Sequence, residues 1–174
     1  MNTSDPIEWA IRIIESIAFT LHGFLGITEP FTGCLRRAFG DRGAMPSWFW
    51  PVAGMILFLV AYLNFSPFNW VILMTQAYIM AFHTGAVLYH RKLGHHPAAG
   101  LAPGVFVFFA FGVVWIRMNF VLAFVMALVC AFIAAGLAEV LVHPREDAQE
   151  SLLQNEDDEA SPEERANQYL PVED

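Results

Sequence analysis

Apolar residues run through this chain in long blocks broken by short polar stretches, a pattern that predicts helices of membrane-spanning length. A crossing takes about 20 apolar residues, and the blocks place helices near 6–28, 48–63, 67–90, 98–116 and 120–142. The continuous apolar run from Ala98 to Val142 is too long for one span, so it divides at Arg117-Met118-Asn119, where Asn119 tolerates a left-handed backbone. Pro6 suits the first helical position behind a Ser4 or Asp5 cap, Ser47 caps the second helix ahead of Trp48, and Ser66 caps the third with Pro67 as its first residue. Residues 29–47, rich in Gly and Pro, read as a loop. The fold class expected is all-α: an integral membrane helical bundle.

Polar residues inside the apolar blocks fall on stripes. In the third helix Gln76, Met80, His83, Val87 and His90 share one face at about 100° per residue. Ala77, Ala81 and Gly85 make a second stripe of small residues, expected to let a neighbouring helix approach closely. The first helix carries Glu8, Arg12, Glu15 and His22 on one narrow face, with Arg12 spaced to meet both carboxylates, and Ile11, Ile14, Ile17, Ala18, Leu21 and Leu25 elsewhere. Two readings of that face stand side by side: charges paired at the headgroups of an interfacial helix, or a buried polar seam.

Composition confirms the membrane class, with 56% hydrophobic residues among 174 and a mean hydropathy of +0.47 against roughly 45–50% apolar content in soluble domains. The net charge of −8 is concentrated at one end. Eleven of the 17 acidic residues lie in 145–174, leaving six acids against seven bases in 1–144. Residues 144–174 are therefore expected to be an acidic, disordered tail, dispensable for folding of a bundle over 1–143. The densest basic group, Arg36, Arg37 and Arg42 in one loop, is too small to suggest a nucleic-acid partner. Together with Arg91 and Lys92 it orients the chain by the positive-inside rule, placing these two loops and the tail in the cytoplasm and Asn2 and Ser66 outside. The opening MNTSDPIEW lacks a basic leader region, so the first apolar segment is expected to stay in the protein.

Candidate chemistry is sparse. Cys34 and Cys130 read as plain thiols, and His95-His96 lack the further ligands that structural zinc requires, so no metal centre is expected. No nucleophile motif, phosphate-cradling loop or catalytic set is present in the sequence. His22, His83 and His90 are the candidate cofactor-binding residues, since neutral imidazole ligates haem iron; by depth, His22 pairs best with His90. Haem or a quinone is the possible cofactor on that reading, and none on the alternative that these are interior hydrogen-bonding histidines.

The stretch AFHTGAVLYHRKLGHHPAAGLAPGVFVFFAFGVVWIRM (81–118) resembles the DoxX-like family of small integral membrane proteins, through Gly85-Ala86-Val87, His90, Pro103 and Arg117. RRAFGDRGAMPSWFWPVAG suits the family's first loop and second-helix start. The resemblance implies a compact bundle of four membrane helices; here GMILFLVAYL lacks the family's acidic residue and residues 119–142 add a span. Members are tied to quinone-linked sulfur oxidation, redox-stress complexes and receptor assembly. The function expected is accordingly a non-catalytic accessory or assembly subunit with a membrane-protein partner in the lipid bilayer, or alternatively a haem- or quinone-linked redox subunit.

Overall fold

The computed structural model describes residues 5–38 and 45–142; the expected acidic tail and Arg42 lie outside them. These residues are helical throughout: α1 (Pro6–Thr32), a short α2 (Cys34–Ala38), α3 (Phe49–Leu63), α4 (Asn69–Lys92), a 3₁₀ turn at Pro97–Gly100, α5 (Leu101–Arg117) and α6 (Phe120–Leu141). Four segments, α1, α4, α5 with its preceding turn, and α6, are long and apolar enough to cross a membrane; α3, at 15 residues, is shorter.

Several ends differ from those expected. α1 runs on to Thr32, with Pro30 in its last turns, because Gly33 adopts the left-handed conformation (φ 57°) and returns its N–H to the Glu29 carbonyl at 2.8 Å. The Glu29 carboxylate then accepts from the Leu35 and Arg36 amides at 2.7 and 3.1 Å, starting α2 where a loop was expected. Ser47 does not cap α3, whose N-cap position is Trp48 and carries no side-chain bond. Ser66 accepts from the Phe68 amide at 3.2 Å, closing the turn before α4 rather than capping it, so α4 begins at Asn69 instead of Pro67. Asn119 is extended, not left-handed (φ −172°), and its side chain accepts from Leu122 N at 2.9 Å as the N-cap of α6.

α1 packs principally on α3, and α4 on α5 and α6. The α1–α3 seam is made by glycines: a Cβ on Gly54 would lie 2.6 Å from Ile27 N and 2.7 Å from Gly23 O, so the two backbones touch. The small-residue contact expected on α4 is different in kind. Ala77 and Ala81 pack against the core, while a Cβ on Gly85 would meet nothing within 4 Å. Phe19, Leu57, Ile79, Met80, Ala110 and Val114 form the apolar middle of the bundle.

The bundle is apolar outside and buries the charged side chains of α1 among an apolar core. Ile14, Ile17, Leu21 and Leu25 of α1 point outward, whereas Glu8, Arg12, Glu15 and Ser16 are buried. That inversion suits lipid, where apolar side chains gain nothing by hiding and charged ones must face the interior. Lys92 reaches the carbonyls of Ala138 and Val142, both at 3.3 Å, closing the end of α6, and also pairs with Glu139.

Candidate functional site: a polar knot and a histidine-lined cavity

The helices alternate in direction, so the start of α1, the end of α3, the start of α4 and the end of α5 meet at one end of the bundle. There the polar stripes of α1 and α4 combine into a single buried knot. Arg12, 2% exposed, donates through Nη1 to Glu8 Oε1 at 2.8 Å and through Nε at 2.7 Å and Nη2 to the backbone carbonyl of Asn64. Its guanidinium also stacks 4.9 Å from the Trp9 ring centre. The interfacial reading of this face is thus replaced by the buried one.

Arg12 was expected to meet both carboxylates, yet the one it pairs with is Glu8. The second base is Arg117, from the far end of the chain, donating to Glu8 Oε1 at 2.9 and 2.5 Å and to Asn69 Oδ1 at 2.6 Å. Glu15 is held by amides: Asn64 Nδ2 and Gln76 Nε2 each donate to its Oε2 at 2.9 Å. Gln76 Nε2 also donates to Asn64 Oδ1 at 2.8 Å, which ties α1, α3 and α4 together. Asn64, Asn69 and Arg117 belong to the knot although the sequence reading left Asn64 and Arg117 in turns and gave Asn69, inside the third helix, no part in it. An asparagine or arginine between two apolar blocks has the signature of a turn, and only the fold brings its partner within reach.

At the opposite end lies a cavity of about 430 Å³ that brings together His22, His83 and His90. Depth along the helices suggested His22 with His90; the cavity extends inward far enough to include His83. Its wall is largely aromatic and aliphatic, with Trp50, Tyr78, Phe82, Tyr89 and Phe106 around the imidazoles and Gly85 and Ala86 leaving room along α4. The volume falls within the range of about 300–1,000 Å³ usual for small-molecule sites, and the lining matches their chemistry: apolar walls with few, placed polar groups.

His83 is the most constrained of the three. Its Nδ1 lies 2.9 Å from the Ile79 carbonyl, and since a carbonyl only accepts, Nδ1 carries the hydrogen and Nε2 keeps its lone pair. Phe19, Phe82 and Phe106 pack around the ring with centroids 5.1, 5.3 and 5.0 Å away. A neutral imidazole so fixed can accept a hydrogen bond from a ligand hydroxyl or ligate a metal through Nε2. His90 Nδ1 lies 2.8 Å from His95 Nδ1, so one of the two rings donates to the other. His96 turns to accept from Ala98 N at 3.2 Å and caps the 3₁₀ turn. Among the described residues no group of three or more His, Cys, Asp or Glu is placed to hold a metal ion. Cys34 is exposed and Cys130 buried, neither in a disulfide; the Cys130 thiol donates to the Ala77 carbonyl at 3.3 Å. No protein-family model, curated protein or solved structure matches this chain.

Proposed function

We propose that this chain is a multi-pass membrane subunit, on a DoxX-like bundle extended by a C-terminal span, that binds a quinone-class ring in its histidine-lined cavity. The observation that carries the reading is the convergence of His22, His83 and His90 on one aromatic-walled cavity of about 430 Å³. A flat, lipophilic ring with oxygens at its edge matches such walls: the faces stack on aromatic side chains and the edge oxygens meet imidazoles. The ligand supplies the redox chemistry; the protein's residues bind it, orient it and exchange protons at its oxygens. The imidazoles and phenols of the wall supply hydrogen bonds and protons but are no source of the two electrons a quinone takes up, so a membrane-protein partner would deliver or receive them, in keeping with an accessory subunit. Haem is the competing occupant, and His83 Nε2 would be the nitrogen to hold it.

Titration of the purified protein with a short-chain quinone, followed by tryptophan fluorescence, tests the reading because Trp50 lines the cavity. Saturable quenching is expected, removed by Trp50→Phe and weakened about tenfold by His83→Ala, the equivalent of one hydrogen bond of about 1.4 kcal/mol. Gly85→Leu would place a side chain at the cavity wall, where a Cβ meets nothing within 4 Å, and abolish saturation. Unsaturable quenching that is identical in all four proteins would eliminate the quinone reading, and a Soret band lost in His83→Ala would transfer the cavity to haem.

The five helices from α1 to α6, omitting α2, make five crossings on this proposal, with the cavity on the cytoplasmic side and the polar knot on the outer side. Single cysteines at Ser66 and Leu93 in a background lacking Cys34 and Cys130 report it. Impermeant thiol reagents on intact cells are expected to label position 66 and spare position 93, and the reverse pattern would invert the orientation.

A further inference from the structure

The polar knot contains two buried oxygens that its hydrogen bonds leave over: Glu15 Oε1 and Gln76 Oε1, on side chains that are both 0% exposed. Both are acceptors if Glu15 is ionised, and a buried acceptor without a donor costs roughly 1–3 kcal/mol, more if charged. Rotating the Gln76 amide does not help. It would turn the amide oxygen toward Glu15 Oε2 and Asn64 Oδ1, the two acceptors that Nε2 now serves at 2.9 and 2.8 Å. The amide direction is therefore set by its partners, and the surplus is one donor short of complete.

We propose that Glu15 and Gln76 form a proton-binding site, in which one proton on Glu15 Oε1 is donated to Gln76 Oε1. A carboxylic acid and an amide already joined by one N–H···O bond close naturally into a ring through O–H···O on the other side, so a single proton satisfies both leftover oxygens.

The charged groups around this pair come from several elements. From α1 come Glu8 and Arg12, from α5 Arg117, and from the end of α3 the Asn64 carbonyl that Arg12 binds; α4 contributes the neutral Gln76 and Asn69. A helix C-terminus carries about −0.5 of a charge. Arg12 lies on the α3 terminus and Arg117 in the last turn of α5, while the starts of α1 and α4 at the same end carry the opposite partial charge, so the leftover oxygens rather than the net charge carry the proposal. Phe19, Ile79 and Met80, each at most 1% exposed, pack between the knot and the histidine cavity, so the two sites stand apart and the proton exchanges from the Asn69 and Arg117 side. The site is independent of what the cavity binds.

Infrared difference spectroscopy of the full chain, wild type against Glu15→Gln, tests the proposal at neutral pH. The expected result is a carboxylic-acid C=O band above the amide region that shifts down in D₂O and is lost in Glu15→Gln. That variant should keep the wild-type melting temperature, because its amide N–H replaces the acid O–H. Gln76→Leu should move the same band to higher frequency by removing its hydrogen bond. Should Glu15→Gln not fold, ¹³C-glutamate labelling of the wild type reads the acid band by its isotope shift. Absence of that band, with carboxylate stretches lost instead, would overturn the proposal, as would sodium-dependent stabilisation without it, which would put a cation in the proton's place.

Discussion

Arg12→Ala is expected to lower the melting temperature in detergent by on the order of 10 °C, the largest loss from any single substitution in the polar knot. Removing one partner of a buried ion pair costs about 3–5 kcal/mol, and each kcal/mol is worth about 2–4 °C at this chain length. The loss is large because three acceptor contacts go at once: Glu8 Oε1 and both bonds to the Asn64 carbonyl, a helix terminus buried at 0% exposure. Arg12→Lys should recover only part of it, since an ammonium cannot fork between the carboxylate and the carbonyl. A melting temperature within 2–3 °C of wild type for Arg12→Ala would mean that the knot contributes little to holding the bundle together.

Gly54→Leu should prevent α1 and α3 from docking at all, and Gly54→Ala should weaken the contact by about 1–3 kcal/mol, as overpacking does. The atoms in the way, Ile27 N, Gly23 O and Gly26 C, are all backbone within 2.9 Å of the added Cβ, so no side-chain rotation can relieve them. Gly112→Ala is the control. Its Cβ would come no nearer than 3.8 Å to Ile11 Cδ1, and replacing a mid-helix glycine is expected to be neutral or to stabilise by up to about 1 kcal/mol. Equal expression and equal thermal stability of Gly54→Ala and Gly112→Ala would show that the glycine seam tolerates separation.

The stripes of polar residues were legible in the sequence because helical periodicity alone decides which residues share a face. Gln76, His83 and His90 are buried together on α4, as are Glu8, Arg12 and Glu15 on α1. What each stripe meets was not legible. Gly54 and Gly85 are both glycines in apolar helices, yet one touches a neighbouring backbone and the other borders a cavity, a difference that arises only from how the helices are arranged. Asn64 read as a turn residue because its role depends on Arg12, 52 positions away. The helix ends were misplaced where a side chain competed for more than one backbone partner: Glu29 accepts from amides in the helix that begins at Cys34, and Ser66 closes a turn instead of capping. His83 was set apart from His22 and His90 by counting rise along a helix, which measures depth but not the extent of an empty space.

On the five-crossing proposal, the brevity of α3 bears on the surrounding lipid. Fifteen residues rise about 22 Å, some 8 Å less than a typical hydrocarbon core of about 30 Å, and exposed Trp48 and Tyr62 flank the helix at its two ends, where aromatic rings prefer the headgroup level. α1, α4 and α6 are long enough for the full thickness, so the shortfall falls on one flank. In a bilayer that flank draws the two leaflets together or is completed by flanking side chains that snorkel to the interface, at a cost of a fraction of a kcal/mol per ångström of mismatch. Over about 8 Å this amounts to a few kcal/mol, enough to favour thin, fluid membranes over sterol-thickened ones and to recruit short-chain lipids beside α3.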